Sequence, residues 1–326
     1  MNKILLSGMR PTGPMHLGHL LGALTNWRKL QEQYDCFFMV ADWHALMSEY
    51  ADPSSMKNYI YEMVADWIAV GIDPDKSAVF VQSDVKAHLE LYAILSDIVP
   101  LPWLERCPTY KEQLREVKGR DLTTYGFLGY PVLQAADILV YKAAVVPIGV
   151  DQLPHLELTR EIARRFNKLY KEIFPEPDAL LTEVPKLLGV DNRKMSKSYS
   201  NFIALGDSPD QIKKKVASMI TDPKRVKLTD KGHPNICNVF SYYNIFKPEV
   251  KEDVEDWCKN ASKGCTECKK ILTDILVEYL KPYSQKRTEL LKDMGEIDKI
   301  LKRGGEKATE LTSKTMSQAY SAMGIR

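Results

Sequence analysis

Apolar and polar positions alternate in blocks along the first half of the chain. Short apolar runs flanked by turn residues predict three buried strands, at Lys3–Gly8, Cys36–Leu46 and Ser77–Asp84. The segments between them, Leu17–Tyr34 and Ser55–Gly71, are apolar at helical spacing, and Gly71 is a suitable residue to end the second helix. Strand, helix, strand, helix, strand predicts an α/β fold with a doubly wound parallel sheet.

The pattern changes in the second half of the chain. Tyr130–Ala143 predicts a further helix, and Val145–Tyr170 predicts a strand, a loop and a long helix. From about Asp207 onward the pattern is mainly helical. A chain of 326 residues is long enough for two domains. We therefore expect a domain boundary near Pro185–Lys194.

The composition of the chain excludes some classes of protein. The chain is 44% hydrophobic and 27% charged, as in ordinary globular proteins, and its formal net charge is +2. A nucleic-acid partner would have to meet local basic patches, because the whole molecule has no strong positive field. The apolar run near the N-terminus is too short for a signal peptide, and no apolar run is long enough for a membrane span. We expect a cytoplasmic protein.

The first candidate site is Gly8–Trp27, which begins with glycines and prolines and then becomes helical. A helix N-terminus presents unpaired N–H groups to phosphates. Gly18 has no side chain and would allow a base or ribose against the backbone. His16 and His19 could donate hydrogen bonds to phosphate oxygens as negative charge develops. Taken alone, this stretch is equally compatible with two solvated histidines.

The second candidate site is the polar segment Asn192–Asn201, which contains three basic residues and hydroxyls between them. Lys194 and Lys197, on one short loop, could wrap around a triphosphate. An isolated pair of lysines at this spacing would more simply be an exposed basic loop.

The cysteines are unevenly distributed. Cys36 and Cys107 stand alone, whereas four others fall within a short segment: Cys237, Cys258, Cys265 and Cys268. In a reducing compartment this grouping indicates a metal centre rather than disulfides. Zinc and an iron–sulfur cluster both accept four cysteines, and four unligated thiols are the alternative.

Two strings together point to a known family. His-Leu-Gly-His at residues 16–19 resembles the HIGH motif, and Lys-Met-Ser-Lys-Ser at residues 194–198 matches the second motif of class I aminoacyl-tRNA synthetases. From about Ile4 past Asp222, successive segments resemble the bacterial tryptophanyl-tRNA synthetases in the same order. The resemblance implies a Rossmann-like, HIGH-type nucleotidyl transferase domain, followed by a mainly α-helical anticodon-binding domain.

The resemblance also implies an activity and its partners. The family activates L-tryptophan with Mg²⁺–ATP to tryptophanyl-adenylate and transfers the tryptophanyl group to tRNA(Trp). We expect a homodimer with a catalytic domain at residues 1–186, on which residues 303–326 pack back, and a helical anticodon-binding domain at residues 187–302. Some members carry a [4Fe–4S] cluster with similar cysteine spacing, so the four cysteines are expected to hold one, structural Zn²⁺ being the alternative. The lysines around these cysteines are expected to form a basic surface for the anticodon.

Carried over residue by residue, the resemblance predicts the nucleotide site. The catalytic residues are expected to be Lys194, Lys197, His16 and His19. The ATP-binding residues are expected to be Arg10, Pro11, Thr12, Gly18, His19, Gly149, Val150, Asp151, Pro185, Lys194, Met195, Ser196, Lys197 and Ser198. Lys111 is expected to add a phosphate contact.

The tryptophan site is predicted in the same way. A buried carboxylate at Asp137 would accept the indole N–H, while the alternative is an aspartate on a helix surface. The residues expected to read the amino and carboxylate groups are Tyr130, Gln134 and Gln152. The residues expected to shape the ring pocket are Leu6, His44, Val146 and Ile148.

Other functions fit parts of the pattern. Tyrosyl-tRNA synthetase shares the fold and the spacing of Tyr130, Gln134 and Asp137, although the surrounding strings favour tryptophan. A non-catalytic tRNA-binding paralogue would not need two intact phosphate-binding motifs. A generic nucleotidylyltransferase would not need the helical C-terminal half or the cysteines.

Overall fold

A five-stranded parallel sheet lies at the centre of the first part of the chain. The computed structural model describes residues 3–116, 121–181, 187–195 and 197–325. The strands are β1 (Ile4–Met9), β2 (Asp35–Val40), β3 (Ala78–Val81), β4 (Val145–Ile148) and β5 (Asp178–Leu181). Their order in the sheet is β3-β2-β1-β4-β5, and every pair is parallel. The predicted doubly wound α/β fold is confirmed.

Helices surround the sheet and form the remainder of the chain. Those in the first part are α1 (Leu17–His19), α2 (Thr25–Leu30), α3 (Asp42–Glu49), α4 (Met56–Ala69), α5 (Ala87–Ile98), α6 (Leu101–Glu105), α7 (Pro108–Glu116), α8 (Tyr125–Val140) and α9 (Leu153–Leu169). Those in the second part are α10 (Pro209–Ser218), α11 (Asn238–Phe246), α12 (Lys251–Lys259), α13 (Cys265–Lys292) and α14 (Met294–Met323). The C-terminal part is helical, as the pattern predicted.

The second predicted strand was too long. The strand β2 ends at Val40, and residues 42–46 belong to α3 rather than to the sheet. The Asp42 carboxylate explains the change, because it accepts hydrogen bonds at 3.0 Å from the backbone N–H groups of Trp43 and Ser83. A carboxylate on backbone N–H groups at the start of a helix favours helix initiation.

The first predicted helix is interrupted. A π-helical turn at Leu20–Leu24 separates α1 from α2. Such turns are rare and frequently lie at functional sites. The helix predicted after β1 therefore exists, but its side chains follow a different register from that of a regular α-helix.

The sheet has a separate apolar core on each face. Neighbouring residues of a strand point to opposite faces, so Phe38 packs with Trp27 and Trp67 on one side. Phe37 packs with Phe80 and Tyr141 on the other side. This two-sided burial explains why the strands appear in the sequence as continuous apolar runs.

The helix α14 crosses the edge strand β3 at backbone distance. A Cβ atom on Gly304 would lie 2.0 Å from the Val79 carbonyl oxygen, so only glycine allows this approach. Lys307 Nζ, one turn further on, lies 2.7 Å from Asp35 Oδ1. The last helix, α14, therefore packs against the sheet of the first part of the chain, although it follows the helices of the second part in the sequence.

A buried ion pair joins the two parts of the chain. Arg287 Nε in α13 lies 2.8 Å from Asp66 Oδ1 in α4, and Asp66 is almost fully buried. Arg287 Nη2 also lies 3.3 Å from Glu62 Oε2.

Among the described residues, no helix is both long and apolar enough to cross a membrane.

Candidate active site

A cavity of about 540 Å³ opens at the carboxyl ends of β1 and β4. From β1 the chain continues to β2 on one side of the sheet, whereas β4 lies beside β1 on the other side. The carboxyl ends of β1 and β4 therefore form a topological switch point, where α/β sheets bind ligands. The cavity is lined by all eight residues predicted to bind tryptophan: Leu6, His44, Tyr130, Gln134, Asp137, Val146, Ile148 and Gln152. It also reaches four residues predicted to bind ATP: Arg10, Gly18, His19 and Gly149.

Asp137 is the only acid in the cavity wall formed by the described residues, and it lies in α8. It is 3% exposed, so it is not a helix-surface aspartate. Its Oδ1 atom accepts hydrogen bonds from Gln82 Nε2 at 2.8 Å and His88 Nδ1 at 2.7 Å. Its Oδ2 atom lies 2.8 Å from His44 Nε2.

These contacts keep Asp137 ionised. Burial raises the pKa of the Asp137 carboxyl, but the hydrogen bonds from His44 and His88 outweigh it and bring the pKa below its usual value. His88 Nε2 lies 3.0 Å from the Tyr141 hydroxyl, whose pKa is raised by burial and by the charge of Asp137. Tyr141 therefore keeps its proton and donates it, which assigns the His88 proton to Nδ1, facing Asp137.

A carboxylate has about four acceptor positions, and three donors occupy three of them here. Among the described residues, Oδ2 has only His44 as a hydrogen-bond partner, so this oxygen can accept one more hydrogen bond. Asp137 lines the cavity, so this carboxylate is available to a bound molecule as an acceptor.

A second buried group holds Tyr130 at the cavity wall. The Tyr130 hydroxyl lies 3.2 Å from His155 Nε2, and His155 Nδ1 lies 3.6 Å from Cys107 Sγ. Burial, and then the nearby His44, lower the pKa of His155 to about 4, so this imidazole is neutral. His155 thereby fixes the direction in which the Tyr130 hydroxyl faces the cavity.

The two histidines of the first motif make local hydrogen bonds. His16 Nδ1 accepts from the Gly18 N–H at 3.1 Å, and His19 Nδ1 accepts from the His16 N–H at 3.2 Å, forming a reciprocal cap of α1. Burial, and then the charge of Lys197, lower the pKa of His16 to about 4. Burial also lowers the pKa of His19. Both rings are therefore neutral, and each has only its Nε2–H to donate.

The π-helical turn directs small residues into the cavity. Gly22, Ala23 and Asn26 line it directly after the first motif. The Asn26 amide nitrogen is buried and has no hydrogen-bond partner within the described chain. It is therefore a donor that a bound molecule can satisfy.

The lysine loop contacts the first motif although the two are far apart in the sequence. Residues 15–17 and 203–205 pair as adjacent extended segments: Leu17 N donates to Ile203 O at 3.0 Å, and Leu205 N donates to Met15 O at 2.9 Å. Lys197 Nζ lies 2.9 Å from the Gly13 carbonyl oxygen. Burial, and then the charge of Arg10, lower the pKa of Lys197 to about 8. The two motifs thus meet at one place.

The other described residues that are predicted to bind the nucleotide do not belong to the cavity wall. Met195 is buried, with its sulfur close to Gly18, whereas Lys194 and Val150 are exposed. Asp151 accepts a hydrogen bond from Gln152. Pro11 is buried and Thr12 half-buried in the loop after β1, and Lys111 is exposed on α7. Pro185 and Ser196, and the side chain of Ser198, lie outside the described residues.

The four clustered cysteines lie together in the helical part. Cys237 precedes α11, Cys258 is in α12, and Cys265 and Cys268 are in the first turn of α13. Burial and then mutual charge repulsion raise the pKa of Cys258, and burial raises that of Cys268 to about 11. Within the described part of the chain, no group of three or more His, Cys, Asp or Glu side chains is arranged to hold a metal ion. The metal centre stays a prediction.

Comparison with known proteins identifies the family. The model of the class I tRNA synthetases for tryptophan and tyrosine matches residues 2–281. The tryptophan–tRNA ligase of Thermotoga maritima is 50% identical, with 98% of this chain and 99% of that relative aligned. The chain belongs to the class I tryptophanyl-tRNA synthetases. The corresponding ligase of Aquifex aeolicus is 42% identical, again with 98% and 99% aligned.

Solved structures agree with this assignment. A tryptophanyl-tRNA synthetase from Campylobacter jejuni, complexed with ADP and tryptophan, matches with a TM-score of 0.91 and 34% identity over 98% of this chain and 99% of that one. A tyrosyl-tRNA synthetase from Archaeoglobus fulgidus reaches a TM-score of 0.65 at 18% identity, so it shares the fold alone. The enzyme is a tryptophan–tRNA ligase, as the resemblance predicted, and not a member of the tyrosyl branch.

Four residues that support the predicted site were not predicted from the sequence. Gln82 and His88 contact Asp137, Tyr141 contacts His88, and His155 contacts Tyr130. The third predicted strand, Ser77–Asp84, was too long: β3 ends at Val81, and Gln82–Asp84 form a 3₁₀ turn. Gln82 therefore lies at the carboxyl end of a parallel strand, where α/β sheets present their ligand-binding residues.

Proposed function

We propose that this one cavity binds tryptophan and Mg²⁺–ATP side by side and joins them as tryptophanyl-adenylate. The observation that carries the proposal is the Asp137 carboxylate, which is ionised and buried, lines the cavity, and has a single hydrogen-bond partner on Oδ2 among the described residues. The relative from Campylobacter jejuni, whose structure holds ADP and tryptophan, supports two adjoining subsites.

Tryptophan would bind with its indole N–H on Asp137 Oδ2. The ring would lie between Leu6, Val146 and Ile148, whose side chains supply an apolar pocket. Tyr130, Gln134 and Gln152 line the same cavity and would bind the amino and carboxylate groups. An amino acid without the indole donor would leave a buried carboxylate under-satisfied, which is the strongest basis for rejection.

Activation needs no nucleophile from the protein. The tryptophan carboxylate attacks the α-phosphorus of ATP, an O–P bond forms, the bond to the β-phosphate bridging oxygen breaks, and diphosphate leaves with the electron pair. Lys197 and Lys194 would neutralise the diphosphate, with Arg10 and the neutral Nε2–H groups of His16 and His19 on the same side. Mg²⁺ would enter with ATP as part of the substrate.

The decisive experiment is tryptophan-dependent ATP–diphosphate exchange, repeated with tyrosine. We expect exchange with tryptophan and none with tyrosine. The exchange rate should fall about 10²-fold or more in Lys197→Ala. In Asp137→Asn the rate should fall by a larger factor with tryptophan than with a sulfur analogue of tryptophan. The analogue is benzothienylalanine, which has sulfur in place of the indole N–H. Exchange by Lys197→Ala at the native rate would overturn the role of the lysine loop.

For the four cysteines we propose a [4Fe–4S] cluster, with structural Zn²⁺ as the alternative. Two features fit a ligand set of four thiolates. Arg225 Nη1 lies 3.9 Å from Cys265 Sγ, where positive charge would stabilise a bound thiolate. A Cβ atom on Gly232 would lie 2.3 Å from Cys258 Sγ, so only glycine at this position lets that sulfur sit against the backbone.

Iron and sulfide analysis of enzyme purified without oxygen tests the cluster. We expect four irons per chain and an absorption band at about 400 nm, both lost in Cys258→Ser. Cys36→Ala, which removes a buried cysteine far from the group in sequence, is the control and should retain both. One zinc per chain without iron would overturn the cluster and support the alternative.

We further propose that residues 187–302 form the anticodon-binding domain, that residues 303–326 belong with the catalytic domain, and that two chains form a homodimer. Lysines surround the cysteines, although Lys259 and Lys263 also pair with Glu255 and Glu267. Sedimentation of the free enzyme and of its tRNA complex tests the dimer. A monomer that charges tRNA at full rate would contradict it.

A further inference from the structure

The turn that leads into the lysine loop is held from the helical part of the chain. The Leu188 carbonyl oxygen accepts a hydrogen bond at 2.7 Å from the Tyr242 hydroxyl. The Gly189 carbonyl oxygen accepts one, also at 2.7 Å, from Asn238 Nδ2. Both donors are side chains of α11, and both residues are almost fully buried.

The turn itself is closed and well fixed. The Gly189 N–H donates to the Arg193 carbonyl oxygen at 2.7 Å. Asn201 Nδ2 donates to Asp191 Oδ1 at 2.7 Å and to the Lys194 carbonyl oxygen at 3.1 Å. A Cβ atom on Gly189 would lie 2.4 Å from Asn201 Nδ2, so the two segments are in close contact. A shift at residues 188–189 would therefore reach Lys194 directly.

The helix α11 has its own firm support. The Tyr243 hydroxyl donates at 2.6 Å to the Cys268 carbonyl oxygen in α13, and the Phe246 ring packs edge-on against Tyr279 of α13. Cys237 is the residue that precedes α11. One short helix thus has the lysine-loop turn on one side and the cysteine group at its start.

We infer that Asn238 and Tyr242 are positioning residues for ATP activation. They touch neither substrate, and they act through the Leu188 and Gly189 carbonyls, which set where the lysine loop begins. This inference rests on the proposed role of Lys197 in binding the diphosphate. It assigns to α11 the link between the helical part of the chain and the triphosphate site.

Two conservative variants remove the link. Tyr242→Phe deletes only the hydroxyl and keeps the buried ring, and Asn238→Asp replaces the donor by an acceptor that faces the Gly189 carbonyl oxygen. Tyr279→Phe is the matched control, because its ring packs on α11 while its hydroxyl faces Tyr283. Tyr242→Phe and Tyr279→Phe each lose one hydroxyl hydrogen bond in the same region, so an effect on general stability would appear in both.

Diphosphate exchange with full-length enzyme gives the first readout. We expect KM for ATP to rise about tenfold in Tyr242→Phe and Asn238→Asp, a factor typical of one lost hydrogen bond, with KM for tryptophan changed less than about twofold. Hydrogen exchange of the peptide covering Leu188–Met195 should accelerate in both variants and not in Tyr279→Phe.

These measurements distinguish a failure of the inference about α11 from a failure of the proposed function. Native exchange activity in Lys197→Ala would overturn the proposed function of the loop and with it this inference. If Lys197→Ala loses exchange activity but KM for ATP is unchanged in Tyr242→Phe and Asn238→Asp, the inference about α11 is overturned and the proposed function is not. Equal rises of both KM values in these variants and in Tyr279→Phe would also overturn it, because that pattern indicates only lost stability.

Discussion

At the scale of single residues, the cavity wall depends in part on side chains that do not line it, such as Gln82 and His88. Asp137 keeps its charge in an apolar cavity because His44, His88 and Gln82 donate to it. Tyr141 in turn fixes the proton of His88. Buried carboxylates without such partners would take up a proton and lose their value as acceptors.

His88 offers a test of this network. In His88→Asn the side-chain amide can replace Nδ1 and still donate to Asp137, whereas His88→Leu donates nothing. We expect kcat/KM for tryptophan to fall about 10- to 100-fold in His88→Leu, the range for a lost hydrogen bond to a charged group, and much less in His88→Asn. Parallel assays with benzothienylalanine should show a smaller loss, because this analogue makes no bond to Asp137. Equal losses in both variants would contradict the role of the Nδ1 donor.

Lys197 should make activity sensitive to alkaline pH. Its pKa is lowered to about 8 by burial and by Arg10, so the ammonium loses its proton as pH rises through that value in the free enzyme. We expect kcat/KM for ATP to decline above about pH 8, since this parameter reports free-enzyme ionisations. Lys197→Arg stays charged and should remove that decline, even if its overall rate is lower. The same downward bend in Lys197→Arg would assign the ionisation to another group.

The sequence predicted the residues that line the cavity better than the residues that support them. All eight residues predicted to bind tryptophan, which come from distant segments, line one cavity, because the resemblance supplied an order that spacing alone could not. Gln82 and His88 were missed because they follow a different strand and are far from Asp137 along the chain. Nothing in local composition distinguishes His88 from any other helical histidine.

At the scale of elements, apolar periodicity predicted the three strands and the main helices of the first half. It failed at the end of β2, where the apolar run continues into α3 and only the carboxylate of Asp42, the first residue of α3, marks the change. It also missed the π-helical turn, because an extra residue in a helix changes side-chain direction without changing composition.

The contact between α14 and β3 gives an element-scale prediction. Gly304→Ala would place a methyl group 2.0 Å from the Val79 carbonyl oxygen, so we expect a loss of about 1–3 kcal/mol in the free energy of unfolding despite better helix propensity. Gly305→Ala is the control in the same helix, since its Cβ would meet only Asp84 Cβ at 3.8 Å. It should be neutral or stabilise by up to about 1 kcal/mol. Urea unfolding measures both, and equal behaviour would show that the approach relaxes without cost.

At the scale of the whole molecule, one buried ion pair connects the parts that carry the two motifs. Burial raises the pKa of Asp66 to about 7, while the Arg287 guanidinium opposes the shift. The raised pKa means that the native state binds more protons than the unfolded chain between about pH 4 and pH 7, so this group favours folding more as pH falls through that window.

Removing Arg287 should make this dependence stronger. In Arg287→Met the Asp66 carboxylate loses its partner, so we expect a loss of about 3–5 kcal/mol near pH 8 that becomes smaller at pH 5, where Asp66 takes up a proton. The double variant Asp66→Leu with Arg287→Met removes both charges and should recover most of the stability. Chemical unfolding at the two pH values tests this, and a pH-independent loss would contradict it.

The crossing of Gly304 over Val79 has a consequence for synthesis on the ribosome. The β3 strand is translated early, but the helix that covers it follows all of the helices between Pro209 and Lys292. Until those helices have emerged, the nascent sheet has an uncovered edge that can pair with another strand. The domain that activates the amino acid can therefore complete its packing only after the intervening helices have been made, which makes a prematurely released chain prone to aggregation.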